Sequence, residues 1–164
     1  MAPDGLRIEA LDPATELEEL RPLWLAMRDH HHSITPEWGP VRDDDDSWAR
    51  RSKDYKSWLT EPDAFCLVAR DAGGRAVGYA LATVNSGSPT WVEPERFAYL
   101  ESLSVLPELR GQGVGKLLMD ALTAHLDTLG VTTISLSQVA ANTGARRFYE
   151  REGFSVSFIN LTRD

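Results

Sequence analysis

Residues 100–118 read LESLSVLPELRGQGVGKLL, and the rest of the chain is organised around this stretch. A strand-like run ends at Pro107, a glycine-rich turn follows, and an apolar-periodic helix begins near Gly113. Glycines leave backbone N–H groups accessible because they carry no Cβ, and a helix N-terminus is partially positive. The stretch therefore predicts a strand–turn–helix unit whose turn can hold a phosphate group.

The spacing of the glycines excludes two familiar nucleotide motifs. Glycines stand at 111, 113 and 115, which fits neither G-x-x-x-x-G-K-[ST] nor G-x-G-x-x-G. A dinucleotide fold would also place an acidic residue at a strand end roughly 20 residues further on. The nearest candidate, Asp127, falls on the predicted helix instead. A dinucleotide-dependent oxidoreductase is therefore kept only as a lesser alternative.

Hydrophobic periodicity divides the remaining sequence into alternating strands and helices. Thr15 is the expected N-cap of the first helix, which Pro22 either kinks or restarts. The acidic run 43–46 is placed to cap the second helix, and Gly130 to end the third. Strands are predicted over 6–10, 65–69, 76–84, 97–105, 132–138 and 154–161. Four helices are predicted: one from Thr15, one after the acidic run, one over 113–129 and one around 145–149.

Composition is that of an ordinary soluble protein, with 42% hydrophobic and 26% charged residues. The net charge of −8 argues against a general nucleic-acid binder. Residues 1–63 hold 15 acidic and 8 basic side chains, which favours a cationic partner slightly or serves only solubility. Residues 1–5 do not resemble a signal peptide and no apolar run is long enough for a membrane span, so a cytoplasmic location is expected.

Two motifs together resemble the GNAT superfamily of acetyl-CoA-dependent N-acetyltransferases. The first is Arg110-x-x-Gly113-x-Gly115, preceded by Leu103-Ser104-Val105. The second, residues 142–154, is similar to the family's N-x-x-A-x-x-x-Y-x-x-x-G-F segment. The match is closest over 97–160 within a single domain expected to span 1–164. The resemblance implies an α/β (α+β) fold with a mixed, mostly antiparallel sheet of six or seven strands and about four helices.

The resemblance also implies where acetyl-CoA would bind. Backbone groups of Leu103, Ser104 and Val105 would pair with the pantetheine arm as an added strand. Asn142 would bind the same arm. Backbone amides of the turn would hold the pyrophosphate, through Arg110, Gly111, Gln112, Gly113, Val114, Gly115 and Lys116.

Two residues are candidates for the chemistry of thioester aminolysis. Tyr149, placed by the resemblance near the thioester sulfur, is protonated at neutral pH and could protonate the departing thiolate. It could equally be a core aromatic residue beside Phe148. Glu101 is the one charged residue within the central strand 97–105, and a charge there needs a partner or a purpose. It could deprotonate the substrate ammonium, only bind it, or face solvent at a strand edge.

The sequence defines the side chains that would contact the acceptor substrate less clearly. His31, four residues after Met27, is the histidine of the run 30–32 expected to point into a substrate cleft. Three consecutive histidines do not converge on one helical face, so no metal is expected. Tyr99 is a further candidate substrate contact, since aromatic rings can hold a cationic or cyclic ligand.

The sequence as a whole predicts transfer of the acetyl group of acetyl-CoA to a primary amine by direct attack. The acceptor would be an amine of a small molecule or peptide, with a leaning towards a cationic one. The alternative from another class is a non-catalytic acyl-CoA-binding sensor. Neither a nucleic-acid nor a membrane partner is expected, and a homodimer is a further prospect because dimers are common in such families.

Overall fold

A computed structural model describes residues 5–163. Five strands form one sheet in the order β1-β2-β3-β4-β5: β1 (Arg7–Ala10), β2 (Phe65–Arg70), β3 (Ala76–Ser86), β4 (Arg96–Val105) and β5 (Ile134–Ser135). The first four strands pair antiparallel, and β5 lies parallel to β4. The helices are α1 (Arg21–Ile34), α2 (Asp44–Trp58), α3 (Val114–Thr128) and α4 (Thr143–Arg151). The predicted mixed, mostly antiparallel class is confirmed.

Helices cover both faces of the sheet. A Cβ added to Gly78 would lie 3.1 Å from Leu118 of α3. The ring of the next residue, Tyr79, packs edge-to-face against that of Tyr55 of α2. Since consecutive residues of a strand face opposite sides, α2 and α3 lie on opposite faces. Strands β2 and β3 are buried almost throughout, which explains their continuous apolar sequence.

Most predicted helix boundaries agree with the structure, but the first does not. Asp43 caps α2 by accepting a 2.9 Å hydrogen bond from the Asp46 amide. Gly130 adopts a φ of 68° just after α3. Thr15 is not a helix cap, because its hydroxyl donates to Asp12 and a 3-10 turn follows over Leu17–Leu20. The helix starts again beyond that turn, with Pro22 in its first turn.

The predicted six or seven strands were too many for the described residues, which form five. The predicted strand 132–138 is reduced to β5, and residues 154–163 form no strand. Alternation alone predicted the last strand, but a strand also needs a hydrogen-bonding neighbour. Several apolar side chains of that tail are instead exposed, namely Val156, Phe158, Ile159 and Leu161.

The expectation concerning a signal peptide falls almost wholly on residues 1–4, outside the described residues. Within 5–163, every helix is too short or too polar to cross a lipid bilayer.

Candidate active site

Glu101 stands at an irregularity in the middle of the sheet. Leu81 pairs with Ser102, but the next residue of β3, Ala82, pairs with Leu100. Glu101 is therefore the extra residue of a β-bulge on β4. Bulges bend a strand and redirect a side chain, and they occur often beside functional sites. The bulge turns Glu101 towards the face that α1 and α2 cover, where Thr83 reaches it.

The carboxylate of Glu101 is half-buried and held by one hydrogen bond. Thr83 Oγ1 donates to Glu101 Oε1 at 2.8 Å, and Asn85 Nδ2 donates in turn to Thr83 Oγ1 at 3.1 Å. Burial raises the pKa of Glu101, while the Thr83 hydrogen bond and the positive charge of Arg51 oppose that rise. A carboxylate with a raised pKa accepts a proton more readily, which suits a general base.

Strand β4 separates from β5 directly before Glu101. The two strands pair only through Ala98 with Ile134 and Tyr99 with Ser135. Beyond Tyr99, the side of β4 that faces away from β3 has no strand neighbour in the described structure. Leu103, Ser104 and Val105 therefore lie on a strand edge that can accept an extended ligand by main-chain hydrogen bonds.

The end of β4 leads into the glycine-rich turn. Gly111 and Gly113 have φ angles of 73° and 81°, which residues with a side chain rarely adopt. Gly113 is the N-cap of α3, and no side chain hydrogen-bonds to the first turn of this helix. The amides of Val114, Gly115 and Lys116 therefore form a positive, uncapped helix N-terminus.

Three polar side chains of the turn already have protein partners. Arg110 Nε donates to the carbonyl of Val105 at 3.1 Å, and Gln112 Nε2 donates to that of Glu108 at 2.7 Å. The ammonium of Lys116 contacts Asp120 at 2.7 Å. In this conformation the backbone amides of the turn are available to an anion, whereas these three side chains already contact protein groups. Arg110 fixes the turn to the end of β4, and burial lowers the pKa of its guanidinium.

Helix α4 brings the second predicted motif to the same place. A Cβ on Gly115 would lie 3.5 Å from Phe148 and 4.0 Å from Leu103, so the start of α3 lies against both α4 and β4. Asn142 Oδ1 caps α4 by accepting from the Ala145 amide at 3.1 Å. The two motifs, distant in sequence, thus meet at the open edge of β4.

Tyr149 is mostly buried within this packing. Its ring meets those of Phe148 and Phe154 edge-on, with centroid distances of 5.2 and 5.5 Å. Burial raises the pKa of Tyr149 to about 12, so its hydroxyl keeps its proton throughout the neutral range. The environment fits a proton donor and also fits the alternative of a core aromatic residue.

The two candidate acceptor contacts lie at different cavities. His31 is half-buried beside Trp24 and Trp38 in a pocket of about 220 Å³, and burial followed by the charges of His30 and Arg110 lowers its pKa. Tyr99 donates a 2.6 Å hydrogen bond to Ser137 and lines a cleft of about 1100 Å³ that runs along α3 and β5. The structure therefore does not bring His31 and Tyr99 together. No group of three or more metal-ligating side chains converges anywhere in 5–163.

Two residues near Glu101 were missed by the sequence reasoning. Thr83 could have been suspected as a polar residue near the end of an apolar strand, but its partner depends on the register of β3 and β4. Arg51 is one of several charged residues on α2, and nothing in the sequence separates it from Arg50. Only the packing of α2 on α1 shows that Arg51 lies over the ring of Trp24.

The comparisons with known proteins agree with this geometry. The family model described as "Acetyltransferase (GNAT) family" matches residues 24–154. The chain is 34% identical over 154 residues to a mycothiol acetyltransferase of Propionibacterium freudenreichii subsp. shermanii, an alignment that covers 94% of this chain and 44% of that protein. The chain belongs to the GNAT family of acetyltransferases, and it spans less than half the length of that relative.

Two solved structures share the fold. The chain superposes on a tetramutant of the BH1408 protein from Bacillus halodurans with a TM-score of 0.77 at 17% identity, covering 96% of this chain and 99% of that one. It superposes on the aminoglycoside N-acetyltransferase AAC(6')-Iy in complex with CoA with a TM-score of 0.71 at 22% identity, covering 100% and 99% of the two chains. At these identities the likeness concerns the fold.

Proposed function

We propose that this chain transfers the acetyl group of acetyl-CoA to a primary amine by direct attack. The observation that carries the proposal is the continuous path from the open edge of β4 to the uncapped N-terminus of α3. An extended arm with amide groups can add to the strand edge while a pyrophosphate lies on the helix amides. CoA combines both features in one molecule.

The residues present fit that ligand. Backbone groups of Leu103, Ser104 and Val105 would bind the pantetheine arm, and the amides from Gly111 to Lys116 would bind the pyrophosphate. Arg110 would act indirectly by holding the turn against Val105. Asn142 would offer the amide nitrogen of its side chain, because its oxygen already caps α4.

The reaction forms a bond between the amine nitrogen and the acetyl carbon and breaks the bond from that carbon to sulfur. Glu101 accepts the proton that the attacking ammonium must lose, directly or through a water molecule. A backbone amide near Val105 stabilises the negative charge that develops on the acetyl oxygen. Tyr149 keeps its proton until the thiolate departs, because its pKa is raised, and then gives that proton to the thiolate. The nitrogen loses its second proton as the amide forms, and that proton restores Tyr149.

The acceptor is an amine of a small molecule or peptide. The names of the similar proteins point to two kinds of acceptor, one connected with mycothiol and the other an aminoglycoside, and the second kind is cationic. A cationic acceptor was also favoured by the acidic composition of residues 1–63. Several of those acidic residues are paired with arginines, which weakens that second argument.

The test is to mix the chain with acetyl-CoA and a panel of amines and to follow the release of free thiol. Acetyl-CoA-dependent thiol release that needs the amine, with an acetylated product in the mass spectrum, is the expected result. Calorimetric binding of acetyl-CoA with no turnover of any amine, peptide N-terminus or aminoglycoside would instead favour the acyl-CoA sensor. Thermal stabilisation by NADPH rather than acetyl-CoA would favour the oxidoreductase.

Three further expectations stay predictions: the single domain 1–164, the cytoplasmic location and the homodimer. The exposed apolar side chains of the tail, among them Phe158 and Ile159, support a partner surface there. Light scattering of the purified chain measures the oligomeric state directly.

A further inference from the structure

Arg51 is held in an aromatic cage on the inner side of α2. Its guanidinium carbon lies 4.3 Å from the ring centre of Trp24, 5.5 Å from that of Trp58 and 5.6 Å from that of Tyr55. A guanidinium stacked on a ring uses its face for that contact and keeps the N–H groups along its edge for other partners. The cage therefore fixes the cation without using its donors.

Those donors have little to bind among the described residues. Arg51 approaches one carboxylate, that of Asp54 at 3.9 Å, which is too long for a hydrogen bond. The adjacent Arg50 differs, because its Nε donates to Asp46 at 2.8 Å. Within α2 as described, Arg51 is thus a fixed cation whose fork of donors is available.

The position of Arg51 relates it to the candidate base. The hydroxyl of Tyr55, whose ring belongs to the cage, lies 2.6 Å from Ser102 Oγ, and Ser102 is the neighbour of Glu101 on β4. In agreement with this proximity, the charge of Arg51 acts to lower the pKa of Glu101. An amine bound at Glu101 therefore lies near a positive charge.

Several acidic residues around the helices already have arginine partners. Arg28 contacts Asp29 and Asp44, each at 2.7 Å, and Arg70 contacts three glutamates of the N-terminal segment. The aspartates at the start of α2 are bound in the same way, Asp45 by Arg21 and Asp46 by Arg42 and Arg50. These arginine partners weaken the argument from composition for a cationic acceptor, although residues 1–63 keep an acidic excess.

We propose that Arg51 binds a carboxylate of the acceptor, so that the substrate is an amine-bearing carboxylic acid with its amine at Glu101. The inference rests on the proposed function and deepens it by naming the substrate class. A carboxylate matches the guanidinium fork with two parallel hydrogen bonds. The indole N–H of Trp24, whose ring lies under Arg51, is buried with no acceptor among the described residues.

The experiment compares matched acceptors that differ only in that carboxylate. β-Alanine is paired with β-alaninamide, and a tripeptide with aspartate in second position is paired with the same peptide carrying asparagine. Rates are compared per concentration of neutral amine, because removal of the carboxylate changes the amine's own pKa. The first pair tests free amino acids as the source of the carboxylate, and the second tests peptides.

In the wild-type chain we expect the carboxylate of at least one pair to raise kcat/KM about tenfold or more. Arg51→Gln should abolish that preference, and Arg51→Lys should keep part of it. Arg50→Gln is the matched control, since Arg50 is the adjacent arginine and is paired with Asp46. It should leave the preference unchanged.

Equal rates within both wild-type pairs would overturn the inference. So would an Arg51→Gln variant that slows both members of a pair equally, since Arg51 would then act only through Glu101. If no amine at all is acetylated, the proposed function fails first. The subsite is then judged by calorimetry on the CoA-loaded chain, where N-acetyl-β-alanine should bind more tightly than its amide and lose that advantage in Arg51→Gln. Equal binding of the two, or binding of neither, would count against it.

Discussion

Thr83 donates a 2.8 Å hydrogen bond to Glu101 across β3 and β4, at the point where the register of the two strands shifts. This bond stabilises the carboxylate and so opposes the rise in pKa that burial causes. The residue that bears the proposed base is therefore tuned by its neighbour on the adjacent strand.

The first prediction concerns the pH dependence of the reaction. Thr83→Val keeps the shape of the side chain and removes the donor, so the pKa of Glu101 should rise further. Because the base must be deprotonated, the acidic limb of kcat/KM should move to higher pH. Glu101→Gln should remove that limb and lower kcat/KM by about 100-fold. A limb that stays in place in both variants would mean that it belongs to another group, such as the acceptor amine.

The second prediction concerns Tyr149. Tyr149→Phe keeps the ring between Phe148 and Phe154 and removes only the proton donor. We expect kcat to fall by about 100-fold, the usual scale for loss of a general acid. The dissociation constant of CoA, measured by calorimetry on the same variant, should change by less than about threefold. An unchanged kcat would assign Tyr149 to the core alone.

The third prediction separates ligand binding from backbone strain at the two ends of α3. Gly113 and Gly130 have φ angles of 81° and 68°, so alanine at either position should cost about 1–2 kcal/mol of stability. Only Gly113→Ala should also weaken CoA binding, because only that end would hold the pyrophosphate. Chemical denaturation and calorimetry on the two variants measure both effects. Equal CoA affinity in the two would argue against a phosphate site at the turn.

The fourth prediction concerns the ion cluster that fastens the N-terminal segment to the sheet. The Arg70 side chain is 9% exposed and contacts Glu9 at 3.2 Å, Glu16 at 3.1 Å and Glu19. Arg70→Met should leave the glutamates without their shared partner and cost about 2 kcal/mol, less than for fully buried charges. Arg75→Met is the control, because its ion pair with Glu108 at 3.6 Å is exposed. Denaturant titrations should show a clear loss only for the Arg70 variant.

The fifth prediction is a loss of stability at alkaline pH. Burial raises the pKa of the Cys66 thiol to about 12, compared with 9.0 in the unfolded chain. Above pH 9 the unfolded chain loses this proton while the folded chain keeps it, so unfolding becomes easier as the pH rises. Between pH 8 and 10.5 this one group should lower the free energy of unfolding by about 2 kcal/mol.

Tyr55, with its pKa raised to about 12, adds to the same alkaline trend. The Cys66→Ala variant should therefore show a smaller difference in stability between pH 8 and 10.5 than the wild type. Urea titrations at the two pH values measure it. The absolute stability of the variant at pH 8 does not enter the comparison.

Most elements of the fold were predictable from short stretches of the sequence. The acidic run before α2 predicted a cap because the Asp43 side chain reaches an amide three residues away, and the turn at 110–115 predicted a bare helix start because glycine provides no cap. The final strand was wrong for the opposite reason. Its alternating sequence is local, but a strand exists only where another strand offers hydrogen bonds.

Only those parts of the candidate site that lie within sequence motifs were predictable. Glu101 stood out as a charge in an apolar strand, but the bulge that presents it depends on how β3 aligns with β4. The hydrogen bond from Thr83 depends on the same register, and the cage around Arg51 depends on how α2 packs against Trp24 of α1. The first contact joins residues 18 positions apart and the second joins Trp24 to Arg51, 27 positions apart, so neither follows from a local pattern.

The cage around Arg51 should also allow ligand binding to be followed by the intrinsic fluorescence of its tryptophans. It contains Trp24 and Trp58, two of the five tryptophans. Indole emission responds to the charge and polarity next to the ring, so an anion that draws the guanidinium away from Trp24 should alter the intrinsic fluorescence. Occupancy of the acceptor site can then be followed in the unlabelled chain, without any turnover.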